Sequence, residues 1–258
     1  MIRLAYTVFF LLLMANFACA EQVLVISVEN KDWAGHYQWV KGELTGIDAD
    51  IFRRVASELG YAIEFIPFPW KRATQMAEDS LTDGVFDLAS TARRGSVLHF
   101  VDTPLSQETI VFWVKPDSDF SYQGRFSKSL RLGIMHGEDW SRWFEESGTP
   151  IVTSFTSFGA AFSSLEAGRI DVFANYLTST RELINKHGFE EEIVPSLPII
   201  PNYYYVALSR KPGHRALSKK LSKSLAKFFD SPAYADLLKI YGVKNPDNAF
   251  HPSRSLNQ

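Results

Sequence analysis

The chain has 258 residues, 27 basic against 29 acidic side chains, 46% apolar residues and one cysteine. This near-neutral balance argues against the basic patch that a nucleic-acid partner requires. A lone cysteine rules out an internal disulfide and a thiolate metal cage.

The first twenty residues do not read as fold. Met1, Ile2 and Arg3 make a short basic start, Leu4 to Met14 form an almost unbroken apolar run, and Ala18-Cys19-Ala20 supplies the small-x-small end of a signal-peptidase site. A membrane-spanning helix needs roughly 20 apolar residues. Residues 1–20 therefore read as a secretory signal peptide. The competing readings are a membrane anchor, opposed by the length of the run, and lipidation at Cys19, opposed by Asn16 and Phe17 beside it. Removing twenty residues from 258 leaves 238, with no cysteine and, without Arg3, 26 basic against 29 acidic residues. No later stretch reaches membrane-spanning length, so a soluble exported protein held together by burial is expected. The full chain carries 20 Phe, 10 Tyr and 6 Trp; part of that is ordinary core, and aromatics beyond what a core needs line ligand clefts.

Val23 to Val28 is a short β-branched run that reads as a buried strand. Glu29 to Gly42 reads as a polar and aromatic loop. Ile47, Ile51, Val55 and Leu59 have helical spacing, and Gly60 closes that helix. Tyr61 to Pro67 predicts a strand, Lys71 to Ala77 a helix, and Val85 to Ala89 and Ile110 to Val114 further strands. The pattern then restarts with a strand at Leu130 to Met135, a helix at Asp139 to Glu146, and a strand at Ile151 to Phe155. A helix over Ser157 to Ala167, a strand at Ile170 to Ala174 and a helix at Leu177 to His187 follow. Ile193 and Val194 begin an extended segment, and Tyr203 to Leu208 is the last strand. Leu217 to Phe229 and Ala233 to Tyr241 are closing helices, with a polar tail after Asn245. Alternating strands and helices imply an α/β fold with a parallel or mixed sheet. The restart near Pro116 implies two halves, and a cleft between them is a favoured place for a ligand.

Several stretches, taken in order, carry a family resemblance. Leu44-Thr-Gly-Ile-Asp-Ala-Asp-Ile-Phe52 resembles the L-x-G-x-D-x-D opening of the bacterial extracellular solute-binding proteins, family 3. Leu59-Gly60-Tyr61, Pro69-Trp70-Lys71-Arg72, Thr91-Ala-Arg-Arg94 with Phe100 and Pro104, Gly168-Arg-Ile-Asp171 and Tyr241-Gly242 continue it. The resemblance implies a type II periplasmic-binding-protein fold, with two α/β lobes joined by two hinge strands. Lobe one would comprise residues 21–106 and 204–258, and lobe two residues 107–203. It also implies a protein with no cofactor, which takes a small polar ligand to the permease of an ABC importer; a monomer is the default expectation.

The resemblance places Arg94 where the family grips a ligand carboxylate, and a planar guanidinium suits that bidentate task. Its neighbour Arg93 reads as surface. Ser90 and Thr91 either offer hydroxyls to the ligand or serve ordinary turn chemistry. Trp70 either walls the cleft or packs as core, while Arg72 reads as a solvated helix face. Trp33 and Tyr37 lie where the family covers its ligand with an aromatic, and the choice between them is open. The second half departs from the pattern. The aspartate that pairs with a ligand ammonium, five residues beyond Asp171, is replaced by Tyr176, with Asn175 beside it. Glu138 and Asp139 stand where the family favours Gly followed by Ser or Thr. Asp139 reads first as a helix cap, and either acid could replace the missing ammonium partner. The six histidines lack metal-ligand spacing.

Two rival functions are a sensory module docked on a membrane receptor and an exported lyase or dehydratase on the same fold. The enzyme would need a poised carboxylate, for which Glu138, Asp139 and Glu108 are the candidates.

Overall fold

The computed structural model describes residues 22–136, 150–242 and 250–252. The expected signal peptide with Cys19, the helix expected over Asp139 to Glu146, Glu138 and Asp139, and most of the polar tail lie outside the described residues.

The chain opens with β1 (Gln22–Glu29). After a tight loop, β2 (Gln38–Val40) and β3 (Glu43–Thr45) form a small antiparallel hairpin. Its two-residue turn, Lys41-Gly42, has positive φ at both positions, the geometry that suits a right-twisted hairpin. Lys-Gly carries less turn signal than Asn-Gly, so this pair sits inside what the sequence presents as loop.

Helix α1 (Ile47–Ser57) buries Ala49, Ile51, Phe52, Val55 and Ala56 on one face, and two acids lie in its first turn, where the helix dipole favours them. Gly60 (φ 82°) then turns the chain into β4 (Tyr61–Phe68), which runs parallel to β1 along its whole length. Next come α2 (Trp70–Glu78), β5 (Gly84–Ala89), the short helix α3 (Ala92–Val97) and β6 (His99–Phe100).

β7 (Ser106–Val114) carries the chain across to the second half. That half holds β8 (Arg131–Met135), β9 (Ile151–Phe155), α4 (Phe158–Glu166), β10 (Val172–Tyr176) and α5 (Leu177–His187). β11 (Val194–Leu208) returns, and α6 (His214–Phe229) and α7 (Pro232–Ile240) close the described chain.

The strands form one mixed sheet in the order β4-β1-β5-β11-β7-β10-β8-β9, with β6 on β11. β1 pairs with β4 and β5, and β8 with β9 and β10, in parallel, whereas β7 and β11 run antiparallel to each other and, respectively, to β10 and β5. The apolar side chains gather into separate cores on either side of that crossing. Ile26, Phe52, Phe86, Val206 and Leu225 belong to the first half; Trp113, Phe162, Leu165 and Phe173 belong to the second. This is the α/β arrangement expected of two lobes joined by two strands.

Beyond the β2–β3 hairpin, the structure differs from the sequence reading in several places. β11 runs from Val194 to Leu208 as one strand and joins the extended segment expected from Ile193 and Val194 to the strand expected over Tyr203 to Leu208. Pro195, Pro198 and Pro201 lack the ladder N–H and hide the strand. β7 begins at Ser106 instead of Ile110, because four polar residues extend it toward the crossing. α3 has no apolar periodicity to announce it.

Candidate ligand-binding site at the strand crossing

The loop after β1 is folded back on itself. Trp33 N donates to Tyr37 O at 2.9 Å, and the N–H groups of His36 and Tyr37 both donate to Trp33 O at 3.0 Å. Gly46 holds this loop against α1. A Cβ at Gly46 (φ 126°) would fall 2.4 Å from His36 O, so the approach requires glycine. The contact places His36 Nδ1 2.8 Å from Asp48 Oδ2 at the start of α1.

His36 is buried, and its Nε2 lies 3.8 Å from Glu108 Oε2 on β7. Asp87 completes the cluster. It sits on β5 at φ 50°, where the register against β11 shifts between Tyr205 and Ala207. A bulge of this kind re-aims a side chain. Ser106 Oγ donates to Asp87 Oδ1 at 3.4 Å, a long contact. Three buried acids, Asp48, Asp87 and Glu108, thus gather around one buried base.

The electrostatics follow from that count. Burial works against a charged imidazole, but Asp48, Glu108 and Asp87 outweigh it and lift the His36 pKa to about 10. For Asp87, burial and then the Asp48 carboxylate push the carboxyl well above its ordinary value, against the opposing pull of His36. His36 is therefore a buried cation at neutral pH, and Asp87 holds its proton more tightly than a free aspartate.

Aromatic rings surround the cluster. The Trp33 indole stacks on the His36 ring with centroids 4.0 Å apart. It meets Tyr204 of β11 edge-on at 4.6 Å and Tyr176 of the second half at 5.6 Å. Thr178 Oγ1 donates to Glu108 Oε1 at 3.3 Å, which ties the turn after β10 to β7.

The adjacent arginines point to different tasks. Arg93 makes a two-pronged pair with Glu78, at 3.1 and 2.8 Å, on the exposed surface. Arg94 is buried, and its guanidinium donates to Ala89 O at 3.1 Å. Thr91 caps α3 by accepting from Arg94 N at 3.2 Å. Ser90 beside it is exposed.

Residues 24–244 match the family model for bacterial extracellular solute-binding proteins, family 3. The chain belongs to this family.

The solute-binding protein also has similar solved structures. An ancestral arginine-binding protein bound to arginine shares 18% identity at a TM-score of 0.66, covering 85% of this chain and 98% of that one. The arginine-, lysine-, histidine-binding protein of the thermophilic bacterium Geobacillus stearothermophilus shares 17% identity at 0.66, over 87% and 97%. A histidine kinase sensor domain with similarity to periplasmic binding proteins shares 15% identity at 0.68, over 85% and 95%. These likenesses establish the type II periplasmic-binding-protein fold. No curated protein sequence matches the chain.

Within this solute-binding fold, the expected site residues separate. Trp33 and Tyr176 meet at the crossing, whereas Tyr37 is core, 5% exposed and against Phe86. Trp70 is half-buried against the cluster of Ala77, Val85, Leu88, Leu98 and Ala207. Asn175 is buried within β10, opposite Val111 of β7. Arg72 is exposed, as a solvated face requires. Asp171 of the Gly-Arg-Ile-Asp stretch is structural: its carboxylate accepts from Arg131 N at 2.8 Å and from the Arg131 guanidinium.

The His36–Asp48–Glu108–Asp87 cluster is the part that sequence reasoning missed as a unit. Asp48 had a signal, as one of two aspartates in the opening motif, and Glu108 stands out as an acid in a strand that ends Ile-Val-Phe-Trp-Val. Nothing near His36 in the sequence marks it.

Proposed function

We propose that this solute-binding protein captures an amino acid or a related carboxylate-bearing solute between its lobes and delivers it to the membrane permease of an ABC importer. It works as a periplasmic monomer, exported by the signal at residues 1–20, and binds without chemistry. Lobe one comprises residues 21–106 and 204–258, and lobe two residues 107–203. The observation that carries the reading is the buried charged and aromatic junction where Trp33 of the first half meets Tyr176 of the second. A ligand that touches both halves stabilises their closed arrangement.

Arg94 clamps the carboxylate, Thr91 and Ser90 support that end, and Trp33, Tyr176 and Asn175 line the rest. Micromolar capture needs about −8 kcal/mol net, within reach of one buried arginine–carboxylate pair and an aromatic wall. An amino-acid ligand is supported by neighbours described as binding arginine or glutamine. The test is a thermal-shift screen of the mature protein against amino acids, polyamines, small carboxylic acids and peptides. A ligand of the native state raises the melting temperature by mass action. A carboxylate hit supports the reading, and hits confined to carboxylate-free compounds would sink it.

A sensory role is the second reading, favoured by the likeness to a histidine kinase sensor domain. It requires docking on a separate membrane receptor, and co-purification with a kinase in place of a permease would establish it.

A further inference from the structure

The second half lacks the acid that the family resemblance places at position 176, where Tyr176 ends β10. A carboxyl group nevertheless stands beside that same turn, supplied by a different strand. Glu108 of β7 is 3% exposed, and its Oε1 accepts from Thr178, two residues beyond Tyr176, at 3.3 Å. The same oxygen accepts from Thr109 N at 2.7 Å.

The other oxygen differs. Glu108 Oε2 accepts no hydrogen bond among the described residues, although it is buried. Its nearest cation is His36 Nε2 at 3.8 Å, beyond hydrogen-bond reach, and the other imidazole nitrogen is engaged with Asp48 at 2.8 Å. A single base thus faces Asp48, Asp87 and Glu108, and one buried carboxyl oxygen has no donor. A buried acceptor of this kind calls for a donor, and a cationic one suits it best. Trp33 Nε1, on the ring that stacks on His36, also finds no partner among the described residues.

We propose that Glu108 is the specificity residue that accepts the ligand's ammonium group, replacing from the hinge strand the acid missing at Tyr176. The assignment rests on the receptor reading above and narrows the ligand to compounds that carry both a carboxylate and an ammonium. Arg94 and Glu108 would read the two ends. The contacts that join the halves here, Trp33 to Tyr176 and His36 to Glu108, close over the Glu108 carboxyl, so separating the halves gives a ligand access to it.

The test is calorimetry on the full mature chain with compounds that differ by one ammonium. Suitable pairs are L-arginine with 5-guanidinopentanoate, L-lysine with 6-aminohexanoate, L-lysine with L-norleucine, and L-glutamine with 4-carbamoylbutanoate. The native protein should prefer the ammonium-bearing member of at least one pair. Glu108→Gln should weaken that member by about tenfold or more and leave the other unchanged. Equal affinity for both members in the native protein overturns the assignment, as does a preference that survives Glu108→Gln. If Glu108→Gln binds neither member, Glu108→Asp decides, since it keeps the charge; retained preference supports the proposal and lost preference overturns it. If the native protein binds no carboxylate compound at all, the receptor reading fails and this one falls with it.

Discussion

The carbonyl oxygen of His36 occupies the space in which a side chain on Gly46 would begin. The two residues belong to different elements, and their contact fixes where the His36 ring meets Asp48. Gly46→Ala should therefore cost about 1–3 kcal/mol in backbone strain alone, with a further cost for moving the loop. At about 2–4 °C per kcal/mol for a chain of this size, thermal unfolding should show a fall of several degrees. Gly42→Ala, whose added methyl meets open space, should cost less.

The His36 cluster should make stability fall as pH rises. The imidazole's folded pKa of about 10 lies above its unfolded value near 6.5. Its contribution is thus complete below about pH 6.5 and lost progressively as pH climbs toward 10. Asp87, raised by burial, acts with the same sign from its ordinary carboxylate range upward. His36→Gln should flatten the slope between pH 6.5 and 10 and lower stability by about 3–5 kcal/mol at neutral pH, because Asp48 and Glu108 lose their cation. Denaturant unfolding at a series of pH values measures both effects. A slope unchanged in the variant would refute the assignment of His36 as a buried cation.

Arg93 and Arg94 should separate in a binding assay. Arg94→Ala should abolish the shift produced by a carboxylate ligand, while Arg93→Ala should preserve it. The exposed Arg93–Glu78 pair should contribute no more than about 1 kcal/mol to folding. Thermal-shift titration of both variants with the same ligand reads the difference. A shift that survives in Arg94→Ala would move the carboxylate anchor elsewhere.

Asp171 should matter for folding and not for binding. Its side-chain and backbone bonds to Arg131 hold its carboxyl below the ordinary range, so its contribution is present above pH 3.8 and lost as pH falls below it. Asp171→Asn should cost about 1–2 kcal/mol after allowance for partial exposure, with ligand affinity unchanged. Urea unfolding paired with calorimetry checks both halves of that statement.

The sequence revealed the fold most clearly where apolar periodicity carries it. Ile47, Ile51 and Val55 announced α1, and Ile151 to Phe155 and Leu177 to His187 appear with the boundaries expected. It fell short where polar residues or prolines make strand, at Ser106 to Thr109 and in the middle of β11, between the two extended segments it marked. Those residues are extended because a neighbouring strand pairs with them, which is information held by the sheet and not by the segment. The site divides in the same way. The resemblance singled out Arg94, and the structure buries it while Arg93 faces solvent. The resemblance left Trp33 and Tyr37 open, and only packing separates them. His36, Asp48, Asp87 and Glu108 come from four separate segments, so no local spacing could have joined them.

β7 and β11 pair with each other as well as with their own halves, from Ser106 opposite Tyr204, through Glu108 opposite Asn202, to Ile110 opposite Ile200, and again, after a shift in register, from Phe112 opposite Ser196 to Val114 opposite Val194. A slip of one residue along that ladder would turn Glu108 to the opposite face of the sheet. The halves therefore cannot slide past one another to open; they can only bend and twist as the ribbon between them does. Ligand capture in such a molecule is a matter of angle, and the spacing of the site is set by the backbone ladder between β7 and β11.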